Sequence, residues 1–211
     1  MHNVAKDCYL CGKPADTTDH IPPRGLFSVV PQNIFTVPAC RKCNADASKD
    51  EEYMRTTLAA FGYWTCAEAR QVWDGAVRRS FARRQALRVQ LSRGVRTVEV
   101  RTPQGQLLGK LPGLEVDGTR ALRVMRKIVR GIYYHEQGQR IADDQELVLF
   151  RMAEVPPGTV GTAGWREHDM GPVFRYRSTH EACGSGIWFE FYRCEAWLAL
   201  TGELARNYPR S

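Results

Sequence analysis

The sequence predicts an α+β fold in which a small cysteine-rich unit at the N-terminus precedes helices and an antiparallel β-region. Residues 1–50 are dense in Cys, Pro, Asp and Asn, and they hold four of the seven cysteines. Long segments with helical spacing follow, and short aromatic runs of alternating polarity come near the C-terminal end. We therefore predict two domains, residues 1–60 and residues 61–211.

The overall composition is typical of a soluble globular protein with a basic charge balance. Of the 211 residues, 43% are hydrophobic and 25% are charged, and the formal net charge is +7. A basic balance favours acidic partners, of which nucleic acid is the commonest. No apolar run approaches the roughly 20 residues that span a bilayer. The first residues also lack the apolar segment of a signal peptide. We expect a cytoplasmic protein with no membrane partner.

Four cysteines form two C-x-x-C pairs, Cys8 with Cys11 and Cys40 with Cys43, separated by 28 residues. In a reducing compartment this spacing indicates a metal site rather than disulfides, and two such knuckles complete a tetrahedral Zn²⁺ site. Four thiolates leave no open coordination position, so the zinc is predicted to be structural. A redox role for either pair is the alternative. The isolated cysteines are predicted to be inert apolar residues: Cys66, Cys183 and Cys194.

Residues 51–92 have the pattern of two helices. The first begins in the acidic stretch DEEY, and the second runs through AEARQVWDGAVRRSFARRQALRVQLS. Its predicted buried stripe consists of Val72, Ala76, Ser80, Arg84, Leu87 and Leu91. Nine arginines fall between positions 70 and 101, against two acidic residues. They form either a solvated helix face or a ridge that contacts phosphates.

The remaining elements follow from periodicity. A β-hairpin is predicted for RTVEVRTPQGQLLGKLPGLEV, and a buried helix is predicted for TRALRVMRKIVRGIYYHE, in which Gly131 is a mild defect. Four strands are predicted for ELVLFRM, VFRYRS, GIWFEFYR and CEAWLAL, with PPGTVGTAG as a loop. The aromatics of these strands alternate with charged residues, which favours a sheet core over a base-stacking platform.

Between the knuckles lie Asp19-His20, Pro22-Pro23 and Asn33, and Asn44 follows Cys43 directly. Together with the four cysteines, this set resembles the HNH endonuclease family over about residues 5–55. The resemblance implies a ββα-metal fold, in which zinc knuckles brace a β-hairpin and a helix around a second, catalytic divalent metal. It also implies metal-dependent hydrolysis of phosphodiester bonds in DNA. The zinc-knuckle subtype matches here, with Asn44 in place of the family's last His.

The residue types suit this chemistry. Phosphodiester hydrolysis needs an activated water and neutralisation of the charge that builds on the phosphate, and a histidine near neutral pKa can accept the proton from water. His20 is therefore the candidate general base. The resemblance makes Asp19 and Asn44 the ligands of a catalytic Mg²⁺ or Mn²⁺, since these hard ions prefer oxygen. It makes Asn33 the residue that orients the histidine.

Other residues near this set have less specific predictions. Arg24, Arg41 and Lys42 are candidate phosphate contacts. Glu51 follows Asn44 by seven residues on the same helical face, where it either adds a carboxylate to the metal or favours the start of the helix. The histidines without comparable neighbours are predicted to be structural or exposed: His2, His135, His168 and His180.

Two interpretations remain open from the sequence. The first is an endonuclease acting on double-stranded DNA, for which a homodimer would allow both strands to be cut. The second is a non-catalytic zinc-binding module that contacts nucleic acid or protein. The feature that separates them is whether Asp19, His20 and Asn44 converge on one point.

Overall fold

A computed structural model describes residues 6–102, 104–152 and 164–206, and its mixture of helices and strands is consistent with the predicted α+β class. The helices are α1 (Arg41–Gly62), α2 (Ala67–Val72), α3 (Arg78–Arg83), α4 (Gln85–Gly94), α5 (Gly118–Gln137) and α6 (Glu203–Arg206). The strands are β1 (Thr17–Ile21), β2 (Phe35–Ala39), β3 (Val95–Arg101), β4 (Leu107–Leu114), β5 (Leu147–Arg151), β6 (Arg166–Asp169), β7 (Phe174–Glu181), β8 (Gly184–Phe191) and β9 (Glu195–Thr201).

The N-terminal part has the order strand, strand, helix. Strands β1 and β2 pair antiparallel, with Thr17 opposite Ala39. Helix α1 starts at once after β2, because Cys40 serves as its N-cap and the Asp16 carboxylate accepts a hydrogen bond from the Arg41 amide at 2.8 Å. The first turn of α1 is thereby fixed against the strand pair.

The second predicted helix is wrong as one continuous element. It is divided into α2, a π-helical turn (Trp73–Val77), α3 and α4, and the chain breaks at Arg84 with φ −129° and ψ 82°. The wider π-helical turn shifts the inward position by one residue, so that Val77 is buried in place of Ala76. Arg84 is exposed rather than part of the stripe.

Helix α5 packs against both α1 and strand β1. The sequence predicts Gly131 only as a helix defect. The structure explains why a glycine stands there: the Ile21 side chain approaches it closely. A Cβ at Gly131 would lie 2.5 Å from the Ile21 side chain. The glycine therefore allows α5 to lie directly on the strand that carries Asp19 and His20.

The C-terminal part is a five-stranded antiparallel sheet in the order β5-β9-β8-β7-β6. Its aromatic residues form core, as predicted: Phe174, Tyr176, Phe189 and Phe191 are at most 1% exposed. Strand β6 was not predicted. The loop predicted for PPGTVGTAG lies outside the described residues, apart from Gly164. The predicted hairpin is confirmed as β3 and β4.

The hydrophobic core extends across the predicted domain boundary at residue 60. Helix α1 runs through that boundary to Gly62, and one buried cluster joins Tyr9 and Ile21 to Phe174 and Phe189. The N-terminal unit is thus packed on the rest of the chain. Within the described ranges, no helix combines the length and apolar character needed to cross a bilayer.

Candidate functional site

The four paired cysteines meet at one point. The ligand atoms of Cys8, Cys11, Cys40 and Cys43 all lie within 4.8 Å of one another. Among the described residues, this is the one group of three or more His, Cys, Asp or Glu side chains that is so close. Four sulfurs at such separations could hold a metal ion such as zinc.

Backbone contacts shape the two knuckles. In the first, the Gly12 amide donates to the Cys8 carbonyl at 2.9 Å, and Gly12 takes a left-handed φ of 69°. The Tyr9 amide donates to the Pro38 carbonyl at 3.0 Å, which ties this knuckle to β2. In the second, the Cys43 amide donates to the Cys40 Sγ at 3.5 Å. Sequence spacing alone therefore predicted this cluster correctly.

Local hydrogen bonds favour a thiolate at Cys40. The Cys43 backbone amide lowers the pKa of the Cys40 thiol to about 7. Burial raises the pKa of Cys43, and the neighbouring thiols raise it further. Without a cation, neighbouring thiolates would repel one another; a bound cation would compensate their negative charge.

A cavity of about 420 Å³ with both polar and apolar lining lies between β1 and α1. From β1 it is lined by Asp19 and His20, and from α1 by Asn44. The structure thus brings three of the predicted site residues to the walls of one cavity. His20 is half-buried and does not face the packed interior.

Helix α1 presents one regular stripe to this cavity. The stripe consists of Asn44, Ser48, Glu51, Glu52 and Arg55. These positions recur at three- and four-residue steps, so they share one face of the helix. Sequence analysis found Glu51 on this face but missed Ser48, Glu52 and Arg55, although the same spacing from Asn44 would have indicated them.

A backbone contact orients the Asn44 side chain. Its Nδ2 donates to the Thr18 carbonyl of β1 at 3.2 Å. This hydrogen bond uses the nitrogen, so the amide oxygen is the atom left to accept from, or coordinate, a ligand. The predicted role of Asn44 as an oxygen donor is compatible with this orientation.

Asp19 has partners that the sequence did not predict. Its Oδ2 accepts from the Tyr9 hydroxyl at 2.8 Å and pairs with Lys127 Nζ at 2.7 Å. The Lys127 ammonium also pairs with Glu51. Asp19 and Lys127 are each 4% exposed, so this ion pair is buried. Any metal at Asp19 would therefore use Oδ1, or would have to compete with Lys127 for the carboxylate.

Removal of the Lys127 ammonium should destabilise the protein strongly. In Lys127→Met, two carboxylates would face each other without a cation, and the expected loss is about 3–5 kcal/mol in the free energy of unfolding. A second change, Glu51→Gln, removes one of these charges and should restore part of the loss. Urea denaturation at neutral pH measures both effects, with Arg126→Met as the control on the same helix. Equal stability of Lys127→Met and the control would contradict the buried ion pair.

The predicted phosphate contacts differ in their surroundings. Arg24 lies on the cavity wall. Arg41 pairs with Asp16 at 3.4 Å, and Lys42 pairs with Asp46 at 2.6 Å, both on the surface. Arg24 is thus the predicted cation that faces the cavity, and the structure adds Arg55.

Asn33 lies apart from the other predicted residues. It does not line the cavity, and its Nδ2 donates to the Asp169 carbonyl at 2.9 Å. This contact joins the β1–β2 connection to strand β6. It gives no support to the predicted role of Asn33 in orienting His20.

The remaining described histidines make structural contacts. His135 stacks on Phe35, with ring centroids 3.8 Å apart. His168 and His180 both contact the carboxylate of Glu136. Burial opposes ionisation of Glu136, but hydrogen bonds from His180 and Ser178 lower its pKa overall. His2 lies outside the described residues.

Comparison with known proteins adds no relative. The chain matches no family model, no curated protein and no solved structure.

Proposed function

We propose that this protein is an HNH-type, metal-dependent endonuclease that hydrolyses phosphodiester bonds of DNA. One observation carries the proposal: His20 of β1 and Asn44 of α1 line the same cavity, in a strand-strand-helix unit joined to a cluster of four thiols.

The four cysteines fit a structural zinc in this proposal. Their sulfurs are close enough to share one ion and leave it no open position for substrate. The ion would join the loop before β1 to the start of α1. It would thereby hold the strand that carries His20 at a fixed distance from the helix that carries Asn44.

A second divalent ion, Mg²⁺ or Mn²⁺, fits the oxygen donors of the cavity. The Oδ1 of Asp19 and the amide oxygen of Asn44 would hold it, with Glu51 as a further carboxylate. When bound, such an ion neutralises charge on the phosphate and on the leaving oxygen. Asn44 is a suitable ligand because its amide nitrogen is already held by Thr18.

The protein's own side chains would supply the remaining functions. His20 accepts the proton of the attacking water, which requires a neutral imidazole at working pH. Arg24 and Arg55 offer positive charge to the scissile phosphate or its neighbours. Lys127 holds the Oδ2 side of Asp19, which fixes the direction of the other carboxylate oxygen.

Nicking of supercoiled plasmid tests the proposal. We expect relaxed circles when Mg²⁺ or Mn²⁺ is added to the zinc-loaded protein, and none without an added divalent ion. A protein that binds DNA but yields no relaxed circles in either metal would contradict the proposed hydrolysis.

The alternative is a non-catalytic zinc module that binds nucleic acid or protein. The observation in its favour is that Lys127 neutralises Asp19 and Tyr9 donates a hydrogen bond to it, so the carboxylate already has structural partners. Failure of nicking together with retained DNA binding would support this second candidate.

In the proposed nuclease, a homodimer would place two such cavities on one duplex and so allow both strands to be cut.

A further inference from the structure

An arginine-rich helix lies beside the cavity. Arg79 and Arg83 are exposed on α3, and no salt bridge to a carboxylate is found for either among the described residues. Arg83 follows Arg79 by four residues, so the two positions share one face of the helix. Arg83 Nε donates to the Arg79 backbone carbonyl at 3.3 Å. Unpaired arginines that lie together repel each other unless an anion is present.

Two direct contacts join α3 and its C-terminal end to the cavity wall. Arg55, which lines the cavity, donates from Nη2 to the Ser80 hydroxyl at 2.7 Å. Arg84 pairs with the cavity residue Glu52 at 2.6 Å. Ser80 is 4% exposed, so its contact with Arg55 is shielded from solvent.

Helix geometry places the two arginines next to this contact. Consecutive helical residues are about 100° apart, so Arg79 and Arg83 both lie within about 100° of Ser80 around the axis. The electrostatics agree: burial lowers the pKa of Arg55, the Glu52 carboxylate opposes this effect, and the charges of Arg79 and Arg83 add to it. The two arginines are thus near Arg55, which lines the cavity.

The turn that carries Arg24 also contacts Arg55. A Cβ at the adjacent Gly25 would lie 3.4 Å from Arg55 Nη1, so the turn that carries Arg24 rests on the same guanidinium. Arg24, Arg79 and Arg83 thus belong to two segments that both contact the partly buried Arg55, and we call these three residues the arginine strip.

We infer that the arginine strip binds the phosphate backbone of duplex DNA and sets the path along which the strand enters the cavity. This inference rests on the proposed function for the identity of the polyanion. Phosphate contacts of this kind fix register and affinity without reading bases. For α3 it favours the phosphate-contacting ridge over the solvated helix face, the two readings that the sequence left open for this arginine-rich segment. It also places the backbone contacts at α3 rather than at Arg41 and Lys42, whose charges are already paired.

The test compares two double variants that remove the same charge. Arg79→Gln with Arg83→Gln alters the strip, whereas Arg166→Gln with Arg206→Gln alters the C-terminal sheet and the helix after it. Binding to a short fluorescent duplex is measured by anisotropy without added divalent metal, between about 50 and 200 mM salt. The strip variant should lose at least about tenfold in affinity, and its slope of log affinity against log salt should fall by about 2. The control should bind as the wild type does.

The outcomes separate this inference from the proposed hydrolysis. Wild-type affinity in the strip variant, an equal loss in both double variants, or no duplex binding by the wild type would each overturn the strip. Strip-dependent binding in a protein that never nicks DNA would leave the strip standing and refute the nuclease. A circular dichroism spectrum of each variant confirms that the fold is retained, since both pairs are exposed.

Discussion

The His20→Ala protein is expected to bind duplex DNA normally and to lose nicking activity by about 100- to 10,000-fold. A positioned general base contributes a factor of this size, because without it water must lose its proton to solvent in the transition state. The fold should survive, since His20 is half-buried on a cavity wall and not part of the packed core. The measurement is the initial rate of plasmid relaxation at saturating Mn²⁺.

A histidine of the sheet provides the matched control for this experiment. His168 stacks on Tyr176 with ring centroids 4.5 Å apart and has no contact with the cavity. His168→Ala should therefore relax plasmid at close to the wild-type rate. Equal rates in the wild type and the His20 variant would indicate a contaminating nuclease and remove the support for His20 as the base.

The Cys40→Ser protein is expected to lose its bound zinc and, with it, most of its folding stability. Zinc binding contributes about 10–16 kcal/mol to the folding free energy of small zinc-binding modules. The whole stability of a typical domain is about 5–15 kcal/mol, so loss of the zinc can exceed it. Cys40 is also the N-cap of α1, and serine is itself a favoured N-cap residue, so the substitution removes a zinc ligand while it leaves the helix cap in place. Zinc content by atomic absorption and the thermal unfolding midpoint measure the two effects.

An isolated cysteine shows whether the effect belongs to the cluster. Cys183 is half-buried between β7 and β8 and is separate from the four-thiol group. Cys183→Ser should retain about one zinc per chain and unfold near the wild-type temperature. A Cys40→Ser protein that keeps its zinc and its unfolding temperature would refute the structural role of the metal.

Local patterns in the sequence predicted the features that depend on local spacing. The knuckles follow from two C-x-x-C pairs, and the placement of Asn44 follows from its position directly after the second knuckle. The helix stripe of α5 and the aromatic core of the C-terminal sheet also follow from periodicity. Each of these features can be predicted from residues that are close together in the sequence.

Long-range contacts account for what the sequence did not predict. Lys127 reaches Glu51, which lies 76 residues earlier in the chain, and nothing near either residue indicates the pair. The sole local signal is a charged residue within the apolar stripe of α5. The sequence of α5 likewise does not explain Gly131, because the glycine is needed to leave space for the Ile21 side chain of β1.

Two errors in the predicted elements have local physical causes. The π-helical turn at Trp73–Val77 places Val77 inside in place of Ala76, which a constant helical period cannot represent, whereas Val72, Ser80, Leu87 and Leu91 are buried as predicted. Strand β6 has the polar sequence REHD, and it forms because its backbone pairs with β7 at the sheet edge. Neither the π-helical turn nor strand β6 produces a periodic pattern of apolar residues from which it could be predicted.

The central claim is that the cavity beside the four-thiol cluster binds a second, divalent metal. Anomalous diffraction from crystals soaked in Mn²⁺ tests it most directly, because manganese and zinc have distinct absorption edges. The proposal predicts a manganese peak beside Asp19 and Asn44, separate from a zinc peak among the four sulfurs. A cavity without manganese, in which Lys127 still bridges Asp19 and Glu51, would contradict it.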